Sequence, residues 1–139
     1  MKDNYILTAE SVTAGHPDKL CDTIADSILD ACLKDDPNAH VACEVMATAG
    51  KILVAGELRT TASPDVEAIV RQMVQKAGYD CTYNVEVQLH TQSPDIAGAV
   101  DGDTLGAGDQ GIMYGYACWE TVELLPAPVV LANRITSLL

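Results

Sequence analysis

Residues 16–33 constrain the fold more than any other part of the chain. His16 is followed by Pro17, whose locked φ and missing N–H suit the first helical position and make His16 the cap. Beyond it Leu20, Ile24, Ile28 and Ala31 recur at helical spacing, with Cys21, Ala25 and Cys32 beside them. The pattern runs to Leu33 and breaks at Asp35-Asp36-Pro37-Asn38. A helix with one apolar stripe needs a second layer to cover it.

Strand-like stretches supply that layer. Val41 to Thr48 alternates, Ala49-Gly50 turns, and Ile52 to Thr60 follows, which predicts a hairpin. Ser63-Pro64 opens a second helix with Asp65 and Glu67 in its first turn, Val66, Ile69, Val70, Met73, Val74 and Ala77 as its stripe, and Gly78 as C-terminal cap. Asn84 to His90 alternates strictly, with Val85, Val87 and Leu89 on one face. Shorter strands are expected at 5–9 and at 112–119, and a last helix from Pro128 onward, carrying Val129, Leu131, Ala132, Ile135 and Leu138. The order β-α-β-β-α-β-β-α predicts an α+β fold, a mixed or antiparallel sheet with helices on one face. No repeat or linker interrupts it, so residues 1–139 are expected to form a single domain. The last helix runs to Leu138-Leu139 without Gly, Pro or a basic cap, which predicts a boundary there or a surface completed by another chain.

Composition narrows the function. Lys+Arg 8 against Asp+Glu 20 gives a net charge of −12, and a chain this acidic has little with which to displace counterions from phosphates. Nucleic-acid and anionic-membrane binding are therefore not expected. No apolar run approaches the roughly 20 residues of a membrane span, and the N-terminus does not read as a signal peptide. The five cysteines (Cys21, Cys32, Cys43, Cys81, Cys118) are odd in number and hold no CxxC pair. That argues against a disulfide framework or zinc site and for reduced core thiols in a cytoplasmic protein.

Several groups of residues could carry chemistry. In Gly15-His16-Pro17-Asp18-Lys19, a helix start with unpaired N–H groups, a cap histidine and a lysine attracts anions, and Asp18 could hold a hard cation; the same residues also serve a plain helix start. Asp18, Asp22, Asp26 and Asp30 descend one side of that helix, which reads equally as a solvated acidic face. Gly106-Ala107-Gly108-Asp109-Gln110-Gly111 matches G-x-G-x-x-G, but it follows a loop and precedes a strand-like stretch, so a dinucleotide site is rejected. Asp101-Gly102-Asp103 starts like a calcium loop whose closing acidic position falls on Ile112, and it fails as well. What remains is a long glycine-rich loop from about 92 to 111. Glu44 and Glu57 are isolated acids on the predicted hairpin; His40 and His90 have no partner pattern.

Glu10-Ser11-Val12, Gly15-His16-Pro17-Asp18-Lys19, Ala42-Cys43-Glu44, Gly56-Glu57, Gln92-Ser93-Pro94-Asp95-Ile96 and Gly106-Ala107-Gly108-Asp109-Gln110-Gly111 occur in this order. Together they resemble the N-terminal third of the S-adenosylmethionine synthetase (methionine adenosyltransferase) family. The resemblance implies an enzyme that makes S-adenosylmethionine from ATP and L-methionine, with release of phosphate and pyrophosphate. By the same resemblance His16 contacts the triphosphate, with Asp18 and Lys19 beside it in the catalytic turn. Asp18 is implied as a magnesium ligand and Glu44 as a potassium ligand. Glu57 and Gln92 are implied at the methionine, and Asp109 holds ATP and methionine from the end of a gating loop that includes Gln92, Ser93, Pro94, Asp95, Asp101 and Gly102.

Charge counting qualifies this. Lys19 is the one cation the sequence puts inside such a site, with Lys51 and Arg59 on the hairpin and Arg71 and Lys76 on the second helix. An acidic chain repels a polyphosphate unless cations are imported. The expectation is a subunit or fragment, inactive or nearly so alone, completed in a hetero- or homo-oligomer by a second polypeptide richer in Lys and Arg. The alternative is a non-catalytic regulatory paralogue that associates with a full-length synthetase.

Overall fold

Helix α1 (Pro17–Asp35) begins where the sequence predicts, with Pro17 in the first turn and His16 as N-cap, and runs two residues past Leu33 to an extended C-cap at Asp36. Strands β1 (His40–Thr48) and β2 (Lys51–Arg59) pair antiparallel from His40↔Arg59 to Thr48↔Lys51, with Gly50 at φ 72 in the tight turn. Helix α2 (Val66–Lys76) is capped by the Asp65 side chain, which accepts from the Ala68 N–H at 3.0 Å. Strand β3 (Asn84–Thr91) lies parallel to β2, and α3 (Ala127–Thr136) follows. The computed structural model describes residues 6–80, 82–91 and 110–139.

The result is α+β, as predicted: a mixed sheet of order β1-β2-β3 with α1 and α2 on one face. The two-residue period decides which side chains meet the helices. Ile52 and Val54 from β2 are fully buried against Leu20, Ile24, Ile28 and Cys32 of α1 and Val70, Met73 and Val74 of α2. Val41, Cys43, Val45, Val85 and Leu89 complete this layer. The intervening residues (Ala42, Glu44, Met46, Leu53, Glu57, Glu86, His90) point to the opposite face, which no helix among the described residues covers.

At Gly56, opposite Cys43, φ is +144, and a Cβ would stand 2.0 Å from the Ala42 carbonyl oxygen. Only glycine fits there.

Three expectations need correction. Residues 6–9 form no strand; Ile6 and Leu7 are exposed, and Tyr5 lies outside the described residues. Residues 112–119 are likewise irregular, with Ile112, Met113, Tyr114 and Trp119 exposed. A β pattern becomes a strand only when a neighbouring strand pairs with it, and none among the described residues does. The last helix starts at Ala127 and ends at Thr136, where the Ser137 N–H closes onto the Asn133 carbonyl.

Candidate functional site

The first turn of α1 is built from short-range contacts. The His16 N–H donates to the Thr13 carbonyl at 3.0 Å, closing the turn that leads into the helix, and the His16 carbonyl accepts the Leu20 N–H at 2.9 Å. His16 Nδ1 accepts the Asp18 N–H at 3.3 Å. A ring nitrogen that accepts carries no proton, so the 3.9 Å approach of Nδ1 to Asp18 Oδ2 is not a charge-assisted hydrogen bond. With Nδ1 engaged by the Asp18 N–H, Nε2 is the ring nitrogen left free of that bond. The side chain of His16 is 42% exposed and that of Asp18 87%. Lys19 turns back so that Nζ donates to the Val12 carbonyl.

The residues of this turn face two directions. Lys19 lines a cavity of about 770 Å³ with Thr13, Gly15, Lys76, Tyr79 and Asn133, between the α1 start and the ends of α2 and α3. Asp18 lines a shallower hollow of about 290 Å³ with Cys21, Asp22, Val45 and Met46, against the outer edge of β1. Met46 shares the uncovered sheet face with Glu44. The turn therefore reaches around the sheet edge toward the face that carries Glu44 and Glu57.

On that face Glu44 lies opposite Ala55 and Glu57 opposite Ala42, so the two glutamates are diagonal neighbours, about 7–8 Å apart for such positions. His90 lies beside Glu57 in the parallel register, and Lys51 pairs with Glu86. The hydrogen bond and charge from Lys51 hold Glu86 below the usual carboxylate range.

Gln92, Ser93, Pro94, Asp95, Asp101, Gly102 and Asp109 lie outside the described residues, as does most of the expected gating loop. Of the predicted site, the structure brings His16, Asp18 and Lys19 together on one turn, and Glu44 and Glu57 together on one sheet face. Asp26 and Asp30 are exposed farther down α1, as a solvated acidic face would be. Two contributors were missed. Lys76 joins Lys19 at the cavity, and Tyr79 stands over Gly15, its hydroxyl donating to the Gly15 carbonyl at 2.9 Å. Gly78, with φ 89, ends α2 and folds the next residue back; that cap was the available signal.

Cys21 borders the hollow beside Asp18, while Cys32 and Cys43 pack into the core layer. Burial raises Cys21, Cys32 and Cys43 above the ordinary thiol value, which leaves them protonated and poorly nucleophilic.

The donor set also bears on metals. Among the described residues no three His, Cys, Asp or Glu side chains converge. Magnesium is commonly held by one or two carboxylates together with waters and substrate phosphates, and exposed Asp18 fits that mode. Glu44 could supply one oxygen to a larger cation in the same way.

Comparison with known sequences decides the family. The S-adenosylmethionine synthetase N-terminal domain matches residues 4–103, and the central domain of the same enzyme matches residues 104–139. The chain belongs to the S-adenosylmethionine synthetase family. It is 48% identical to the S-adenosylmethionine synthase of Treponema denticola over 95% of its length, and 50% identical to that of Sulfurimonas denitrificans over 95%. The synthase of a Sulfurovum species is 47% identical over 98%. The chain spans 38%, 36% and 38% of these three synthases. Within the synthetase family, then, this chain corresponds to a region holding the α1 turn and the sheet face just described. Among its described residues, no helix is long and apolar enough to cross a membrane.

Proposed function

We propose that this chain is part of a methionine adenosyltransferase that forms S-adenosylmethionine from ATP and L-methionine, releasing phosphate and pyrophosphate, and that a second, more basic polypeptide completes its sites. The observation that carries the reading is the α1 turn. There a capping histidine keeps Nε2 free of the capping bond at a helix N-terminus, while Asp18 lies against the strand edge leading to Glu44.

The reaction asks little of a base. The methionine sulfur is already a nucleophile; its bond to C5′ forms as the C5′–O bond breaks, the electron pair leaves with the triphosphate, and water then hydrolyses the triphosphate to phosphate and pyrophosphate. Catalysis then rests on in-line positioning and on donors aimed at the departing oxygens. His16 Nε2 and the open N–H groups of the first turn are such donors. Glu57, on the uncovered face, is suited to the methionine ammonium, with Gln92 and Asp109 contributing from the loop. Asp18 would hold magnesium and Glu44 potassium; bound there, these ions neutralise polyphosphate charge.

Cation supply supports the need for a partner. Among the described residues Arg71 pairs with Glu67, Arg134 with Glu123 and Lys51 with Glu86, and the basic side chains that line the cavity beside the turn are Lys19 and Lys76. We read the assembly, hetero-oligomeric or homo-oligomeric, as cytoplasmic, a reading supported by the free thiols of Cys21, Cys32, Cys43 and Cys118.

The test is S-adenosylmethionine formation by the chain alone and with candidate basic partners. The chain alone should be nearly silent and a partner should restore turnover. His16→Ala should then lower kcat by about 10²–10³, the usual cost of removing one such donor, and Asp18→Asn should abolish the magnesium response. A reconstituted rate indifferent to both substitutions would overturn these roles and favour the regulatory paralogue.

A further inference from the structure

Tyr79 is far from the α1 turn in sequence, yet its side chain reaches the residue before the cap. Its hydroxyl donates to the Gly15 carbonyl at 2.9 Å. Its ring lies so near that a Cβ on Gly15 would meet the ring and hydroxyl at 3.0 Å. Gly15 has no positive φ to account for its lack of a side chain; the space is simply taken by Tyr79.

The tyrosine is itself held. The Gly78 N–H donates to the Gln75 carbonyl and the Tyr79 N–H to the Val74 carbonyl, so the C-terminal turn of α2 aims the side chain. The Tyr83 ring meets it edge-on, with centroids 6.3 Å apart at 77°. Tyr83 is in turn packed against the main core, and its carbonyl accepts from Arg71.

The consequence follows from peptide planarity. The Gly15 carbonyl and the His16 N–H belong to one rigid plane. Tyr79 fixes its oxygen, and the Thr13 carbonyl fixes its hydrogen. With both ends of the plane tied, rotation about it is blocked, and the backbone direction of His16 is set before its ring reaches the Asp18 N–H. We propose that Tyr79 is a positioning residue: it locks the Gly15–His16 peptide and thereby presents the His16 ring and the first-turn N–H groups to the leaving polyphosphate. This rests on the reading given above for His16.

The proposal predicts that Tyr79→Phe, which keeps the ring, and Gly15→Ala, which pushes it away, damage the same thing. In the 139-residue chain, amide exchange at His16 should quicken by about fivefold to tenfold in either variant, the loss of one modest hydrogen bond. Amides of Ile24 and Val54 should hold their rates. Tyr79→Phe should lower the unfolding midpoint by no more than about 5 °C. In the double variant the effects should fail to add, as they do for residues in contact.

Titration with magnesium and inorganic tripolyphosphate, followed on the His16 ring resonances, separates the two levels of the claim. The wild type should shift, and Tyr79→Phe should bind about fivefold to tenfold more weakly despite its intact fold. Equal binding and unchanged His16 exchange in Tyr79→Phe would overturn the positioning role alone. Wild-type resonances that ignore tripolyphosphate would overturn the polyphosphate reading of His16, and the positioning proposal with it.

Discussion

At Gly56 a single missing carbon decides whether β1 and β2 can pair. A methyl group there would meet the Ala42 carbonyl oxygen at 2.0 Å, and the backbone conformation is one that L side chains rarely adopt. Gly56→Ala should therefore destabilise the fold on the order of 3–5 kcal/mol, read from the denaturant midpoint; a loss below about 1 kcal/mol would contradict the register. Ile24 makes a different case, since it is fully buried beneath the sheet. Ile24→Ala should cost about 2–5 kcal/mol as a cavity, measured the same way. Both residues could be marked from sequence, Ile24 by helical spacing and Gly56 by its place in the family motif. The reason for Gly56 could not, because it depends on a carbonyl across the hairpin.

Among the elements, α1 and β2 are joined through one carboxylate. Asp36, the C-cap of α1, accepts the Thr61 N–H at 2.7 Å, the Thr60 hydroxyl at 3.0 Å and the Asn38 N–H at 3.1 Å. These bonds, led by that from Thr61, hold its carboxyl below the ordinary value of 3.8. A depressed folded value means the linkage stabilises fully above the ordinary carboxylate range and is lost as pH falls through the lowered value. Asp36→Asn should thus unfold with a shallower pH dependence below about pH 4, and a slope equal to the wild type would refute the latch. The start of α1, the hairpin and the α+β class were legible because the Pro17 cap and the period are local signals, whereas α2 starts at Val66, past the expected Ser63-Pro64 opening, with Asp65 as its cap. The parallel pairing of β3 with β2 was not, since it joins strands separated by α2. The strands expected at 5–9 and 112–119 failed for the same reason: alternation states a preference, and pairing requires a partner the pattern cannot name.

Over the whole molecule, one sheet face is packed and the other carries Glu44, Glu57 and His90, while the α1 turn reaches the edge between them. His16, Asp18 and Lys19 were legible as a unit because they share a turn. Their relation to Glu44 was not, because it depends on how α1 crosses β1. Lys76 and Tyr79 come from the far end of α2, where only the Gly78 cap hinted at a return. The central claim is that a polyphosphate docks at this turn, with its positive charge largely imported. The most direct measurement is a crystal structure with magnesium and a non-hydrolysable ATP analogue. The account predicts phosphate density within hydrogen-bond reach of His16 Nε2 and metal density on Asp18. A polyphosphate bound elsewhere, with the α1 turn facing solvent, would contradict it.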